Sequence, residues 1–156
     1  MQGKMNVLIA GSRDMSPEMA KIVQTVVSKQ WWQQNRIIVG DARGVDAGVV
    51  KWCEKLGVDY LCYTPHIKPR NGALVYKSVI DELELMNMPK PAWYSARDKL
   101  MVRDADKVIC ISRPELTSGT EAVFNYAKFR HKPVVMRTVL KTRLPQIQAT
   151  RIMEWW

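Results

Sequence analysis

Short apolar runs that end in glycine or a polar turn alternate along this chain with stretches whose apolar residues recur every three or four positions. Residues 6–10 form the first run and close in Gly11-Ser12-Arg13. Ser16-Pro17 then opens a helix, because serine can cap and proline suits the first helical position; Met19, Ile22, Val23, Val26 and Val27 follow with helical period. Residues 36–39 predict a second strand ending at Gly40, and the turn containing Gly44 leads to a helix with Val49, Val50, Cys53 and Leu56 on one face, stopped by Gly57. A third strand is expected over 58–63. Beyond it, 66–72 reads as loop and 73–86 as helix, and Pro89 and Pro91 bracket a break before a helix over 95–104. Residues 107–112 (Lys-Val-Ile-Cys-Ile-Ser) are apolar on both faces, as in a parallel strand covered by helices on both sides. A helix over 119–130 and a strand over 133–136 complete the alternation, and from Thr138 onward the periodicity fades.

Alternating strands and helices with glycines at the strand ends predict an α/β domain. The expected architecture is a Rossmann-like open, mainly parallel five-stranded sheet with helices on both faces. Its body is expected over residues 1–137, with 138–156 as a basic, Trp-ended tail. Such sheets bind ligands at the carboxyl ends of their strands, and the loops 11–16, 40–46 and 113–120 all fall there.

At 156 residues, 47% hydrophobic and 25% charged, the chain has the length of one domain and enough apolar side chains for a core. Its net charge of +9 favours anionic partners. The excess is uneven: residues 1–65 carry eight basic and six acidic side chains, residues 128–156 seven and one. The basic tail therefore also offers a route to nucleic acid. Cys53, Cys62 and Cys110 are odd in number, widely spaced and set in apolar contexts. With only His66 and His131 beside them, they suggest buried reduced thiols rather than disulfides or a metal site. Neither a metal nor another cofactor is implied. The first apolar run is too short for a signal-peptide core or a membrane span, so a cytoplasmic protein with no membrane partner is expected.

Each loop carries candidate chemistry. Gly11 lets backbone approach a ligand, Ser12 offers a hydroxyl and Arg13 a forked charge; the competing reading is a plain turn. No G-x-G-x-x-G follows, so the dinucleotide fingerprint of dehydrogenases is absent. Gly40 and Gly44 flank a strand-to-helix turn suited to an anion, but Asp46 there repels phosphate. It either caps the helix, the preferred reading, or accepts from ribose hydroxyls. Ser118 and Glu121 have capping-box spacing, under which Glu121 only satisfies a backbone donor. In the functional reading Ser118, Gly119 and Thr120 hold phosphate at a helix N-terminus. Helical spacing puts Arg97 and Met101 on one face, either toward the ligand edge or as part of a solvated helix. Trp93 and Tyr94 are candidates for stacking on a base or for edges of the core. Trp31-Trp32 is most simply packing. Trp155-Trp156 has no core to enter without a partner surface, so a docked tail or a homodimer is expected.

Taken together, Val-Leu-Ile-Ala-Gly11-Ser12-Arg13, Ile-Ile-Val-Gly40-Asp-Ala-Arg-Gly44-Val-Asp46, Arg97-x-x-x-Met101 with Ala-Asp106, and Ser118-Gly119-Thr120 resemble the SLOG superfamily of Rossmann-like proteins. That superfamily includes the LOG phosphoribohydrolases, the DNA-processing protein DprA and small stand-alone nucleotide-binding domains, which this chain resembles most. The resemblance spans residues 5–136. It implies binding of a nucleotide or nucleotide-derived phosphorylated ligand. Its alternatives are LOG-like hydrolysis of a nucleoside 5'-monophosphate, with Arg97 and Glu121 as catalytic pair, and DprA-like binding of single-stranded DNA. The chain departs from the LOG pattern in two places: Asp98 follows Arg97 where LOG enzymes carry lysine, and Val123 and Phe124 stand where their catalytic acid is expected.

Overall fold

A computed structural model describes residues 4–113, 118–141 and 150–154. Seven strands form one sheet: β1 (Asn6–Gly11), β2 (Arg36–Gly40), β3 (Tyr60–Thr64), β4 (Tyr76–Ser78), β5 (Lys107–Ser112), β6 (Val134–Lys141) and β7 (Thr150–Glu154), in the order β4-β3-β2-β1-β5-β6-β7. The first six are parallel, and β7 runs antiparallel to β6. Successive strands build outward from β1 to β4, and then β5 returns to the other side of β1. The order therefore reverses between β1 and β5, where the carboxyl-end loops splay apart and leave a crevice.

Side-chain alternation along β1 explains the layers. Val7 and Ile9 face a core made with α1 (Pro17–Gln33) and α2 (Val45–Leu56). Leu8 and Ala10 face another, built from α3 (Ile80–Leu85), α4 (Trp93–Asp104) and α5 (Ser118–Phe129). Every β1 side chain from 7 to 10 is thus buried, as a sheet covered on both faces requires. The expected caps form: Ser16 Oγ accepts the Met19 N–H at 3.2 Å, and Gly57 closes α2 at φ 74°.

The expected count of five strands becomes seven, and the helix expected over 73–86 is confined to Ile80–Leu85. Val75, Tyr76 and Val79 suit a strand, and β3 offers them an unpaired edge: Val75 O accepts from Cys62 N at 3.0 Å and Val79 N donates to Thr64 O at 2.9 Å. Only from Ile80 does the chain turn helical. At the other edge, β6 continues past residue 136 to Lys141 and pairs with β7, Val139 opposite Ile152. Trp31 and Trp32 are not packing residues. The buried stripe of α1 runs Met19, Ile22, Val23, Val26, Val27, Gln30, which leaves the indoles 48% and 77% exposed against each other. Leu56 likewise lies exposed at the end of α2. Trp155-Trp156 falls outside the described residues. Among those described, no helix is long and apolar enough to cross a membrane.

Candidate functional site

Two of the three loops brace each other before they meet any ligand. Gly44 has φ 74°, and a Cβ there would lie 2.3 Å from Arg13 O, while the Val45 N–H donates to Ser12 O at 3.0 Å. Gly11 is equally constrained, since its Cβ would come within 2.5 Å of Ile111 O and 2.6 Å of Val45 Cγ2. The Ser12 hydroxyl is buried and donates to Asp14 O at 2.6 Å. Gly44 and Ser12 therefore build the crevice floor and do not line it.

Behind that floor lies an ionic network centred on Asp41, which the sequence reading did not single out. Asp41 is fully buried. Its Oδ1 accepts from Arg97 Nη1 and from Arg70 Nη2, each at 2.8 Å, and its Oδ2 from Thr64 Oγ1 at 2.7 Å. Burial alone would raise its pKa; the hydrogen bonds from Arg70 and Thr64 and the Arg97 charge outweigh this and hold it near 2. Arg97 is 5% exposed and also donates to Tyr63 O at 3.2 Å and to Asp98 Oδ1 at 2.9 Å. It is not a solvated helix residue: its Nε and Nη1 are both engaged by protein groups. Gly40 is glycine because these groups pack on it; a Cβ would stand 2.6 Å from Asp46 Oδ2 and 3.2 Å from Arg97 Cζ.

Asp46 does not cap α2. The N-cap is Gly44, and Asp46 Oδ2 instead accepts the Ala42 N–H at 3.2 Å. Burial pushes its carboxyl up to about 7 against the pull of Arg97 and Ala42, and the Asp98 and Asp41 charges add to the rise.

Above the network opens a cleft of about 530 Å³ at the β1/β5 switch. The first turn of α5 contributes Gly119 and Thr120, the loops contribute Arg13, Asp14 and Arg43, and α4 contributes Tyr94, Arg97, Asp98 and Lys99. Of the residues expected here, Gly11, Arg13, Asp46, Arg97, Gly119 and Thr120 line the cleft. Ser12, Gly40 and Gly44 lie beneath it. Glu121 is exposed on α5 and is not part of the lining, whereas Val123 is buried and does line it. The Ser118 side chain falls outside the described residues, and with it the test of the capping box.

Sequence reasoning passed over Asp14, Arg43, Arg70, Asp98 and Lys99 as site residues. Arg43 and Asp98 stood inside quoted motifs, while nothing local marked Arg70. Tyr94 lines the cleft with its hydroxyl 2.7 Å from His66 Nε2 and the Arg70 guanidinium 4.4 Å over its ring. Trp93 is partly buried and donates to Met88 O at 2.9 Å. Cys53, Cys62 and Cys110 are buried, and burial pushes each thiol up to about 12. Among the described residues no cluster of His, Cys, Asp or Glu is suited to a metal ion.

No family model and no curated protein matches the sequence. Solved structures do resemble it. DNA processing protein A from Helicobacter pylori, described for its single-stranded DNA binding mode, matches 90% of this chain with 67% of its own at 22% identity and a TM-score of 0.65. The molybdenum cofactor binding protein of the phototrophic bacterium Rippkaea orientalis matches 88% with 78% of its own at 15% identity and a TM-score of 0.69. The Moco carrier protein of Chlamydomonas reinhardtii matches 86% with 76% of its own at 14% identity and a TM-score of 0.67. At these identities the likeness is one of fold, and the chain has a Rossmann-like α/β fold.

Proposed function

We propose that the cleft binds a nucleotide or another nucleotide-derived phosphorylated ligand, with a phosphate against the first turn of α5. One observation carries this reading. At Gly119, in the first turn of α5 and on the cleft, a Cβ would meet no described atom within 4 Å, which leaves room for a ligand's phosphate beside a helix start, where the helix field favours an anion. Arg13 and Arg43, which make no salt bridge among the described residues, stand on the same cleft. The N-terminus of α2 is less suitable, because its Val45 N–H is already taken by Ser12 O and Asp46 brings a carboxyl to its first turn.

Binding is favoured over N-glycosidic hydrolysis. Breaking that bond develops a ribosyl cation, which calls for a carboxylate beside it. Glu121 is not in the lining, and apolar Val123 occupies the wall where the acid of LOG enzymes is expected. Of the buried-floor carboxyls that do line the cleft, Asp98 is engaged by Arg97 and burial raises Asp46 to about 7. Anionic ligands are also the chemistry of one structural neighbour, whose description names single-stranded DNA.

Calorimetry with AMP, adenosine and a short oligodeoxynucleotide tests the reading. Arg13→Ala and Arg43→Ala should each weaken AMP binding roughly tenfold, the worth of one charged hydrogen bond, and leave adenosine binding unchanged. Chromatography of the same samples should find no free adenine. Equal AMP affinity in wild type and both variants defeats the assignment, and tighter binding of the oligonucleotide with a steep salt slope favours DNA instead.

A further inference from the structure

The carboxylates at the floor of the cleft are unequally provided with cations. Arg97 bonds Asp41 and Asp98, and Arg70 bonds Asp41. Among the described residues the sole hydrogen bond to the Asp46 carboxylate is the long one from Ala42 N. Yet Asp46 is 8% exposed, lines the cleft, and lies pressed on the backbone of Gly40. The groups that face it come from four elements. The turn after β2 brings Asp41 and the Ala42 N–H, α4 brings Arg97 and Asp98, β3 brings the neutral Cys62 thiol, and the β3–β4 loop brings Arg70 behind Asp41. Arg13, from the loop after β1, acts on Asp98. Around Asp46 there are thus two further carboxylates and two guanidiniums already engaged by them.

An anion entering at Gly119, Arg13 and Arg43 adds negative charge to the same low-dielectric pocket. The response of lowest cost is protonation of Asp46, the buried carboxyl of the floor that no cation bonds. We propose that the cleft takes up a proton on Asp46 when it binds its anionic ligand. This coupling rests on the nucleotide reading of the site. Because binding and protonation are reciprocal, affinity falls as pH rises above neutrality, approaching tenfold per pH unit where uptake is complete. The free protein is already disposed to it, since burial holds the Asp46 carboxyl near 7.

The test is calorimetry with AMP between pH 7 and 9, where its phosphate is already doubly charged, in EPPS and in Tris, which both buffer there and whose different ionisation heats report proton exchange. Wild-type protein should take up between roughly half and one proton per AMP at pH 8, and sulfate, whose charge is constant, should show the same uptake. Asp46→Asn, which keeps an acceptor for Ala42 N, should show none, bind equally at every pH in this range, and bind AMP roughly tenfold more tightly than wild type at pH 8.5. The wild-type proton count needs no variant to fold. AMP binding without proton uptake, or uptake that persists in Asp46→Asn, overturns the coupling and leaves the nucleotide reading standing. Absence of any AMP or sulfate binding overturns both.

Discussion

Arg97→Ala removes a 5% exposed guanidinium from among three carboxylates, and its consequence is expected first in stability. Three hydrogen bonds disappear, to Asp41 and Tyr63 O through Nη1 and to Asp98 through Nε. Asp41 keeps Arg70 and Thr64, but Asp46 and Asp98 lose the cation nearest to both. Breaking a buried pair from one side typically costs about 3–5 kcal/mol, against a total stability of roughly 5–15 kcal/mol for a domain. With a urea m-value of about 2 kcal/mol/M, the unfolding midpoint at pH 7.5 should drop by about 1.5–2.5 M. Arg97→Lys restores charge without the fork and should recover part of the loss. At pH 5.5 the deficit of Arg97→Ala should shrink, because Asp46 then carries a proton in either protein. Urea melts followed by far-UV circular dichroism measure all three. A deficit under about 1 kcal/mol at pH 7.5 would show that the network does not bear on stability, and an equal deficit at both pH values would refute the electrostatic account.

Other outcomes follow from single positions. Gly44→Ala places a Cβ 2.3 Å from Arg13 O on a residue at φ 74°, so thermal or chemical melts should show a loss of at least about 2 kcal/mol. Gly119→Ala meets open space in a helix first turn; stability should hold or rise by up to about 1 kcal/mol, while AMP affinity measured by calorimetry falls because the methyl occupies the phosphate approach. The folded-state pKa of Asp46, about 7, lies above its unfolded value of 3.8, so the folded protein retains a proton that the unfolded chain has lost. Stability should therefore decline as pH rises from about 4 to about 7, by at most about 4 kcal/mol, and level off above. Asp46→Asn should remove that decline. Asp41 acts in the opposite sense, and its contribution is lost as pH falls from about 4 toward 2. Trp32→Ala, at a 77% exposed position, should shift stability by less than about 0.5 kcal/mol.

The amino-acid sequence by itself determined the centre of this protein. The strands over 6–10, 36–39, 58–63, 107–112 and 133–136, the serine cap at Ser16 and the glycine stop at Gly57 all rest on local chemistry: apolar period, a missing N–H, a left-handed turn. It also identified the sheet edge where Gly11, Arg13, Asp46, Gly119 and Thr120 meet, because glycines and helix starts after strands mark the carboxyl ends, while helical spacing left Arg97 open between that edge and solvent. The tertiary structure decided the rest. β4 and β7 are strands because β3 and β6 offer them an edge, and three or five residues hold too little intrinsic preference to announce that alone. The same holds for what each site residue does. Gly44 serves the backbone of Arg13, and Arg97 is captured by a carboxylate 56 residues away and Arg70 by the same one 29 residues away. Local spacing states which groups can meet within a turn or two of helix. Which distant charge a buried guanidinium finds, and which carboxyl is left without one, is settled only when strands far apart in sequence become neighbours and water is excluded between them.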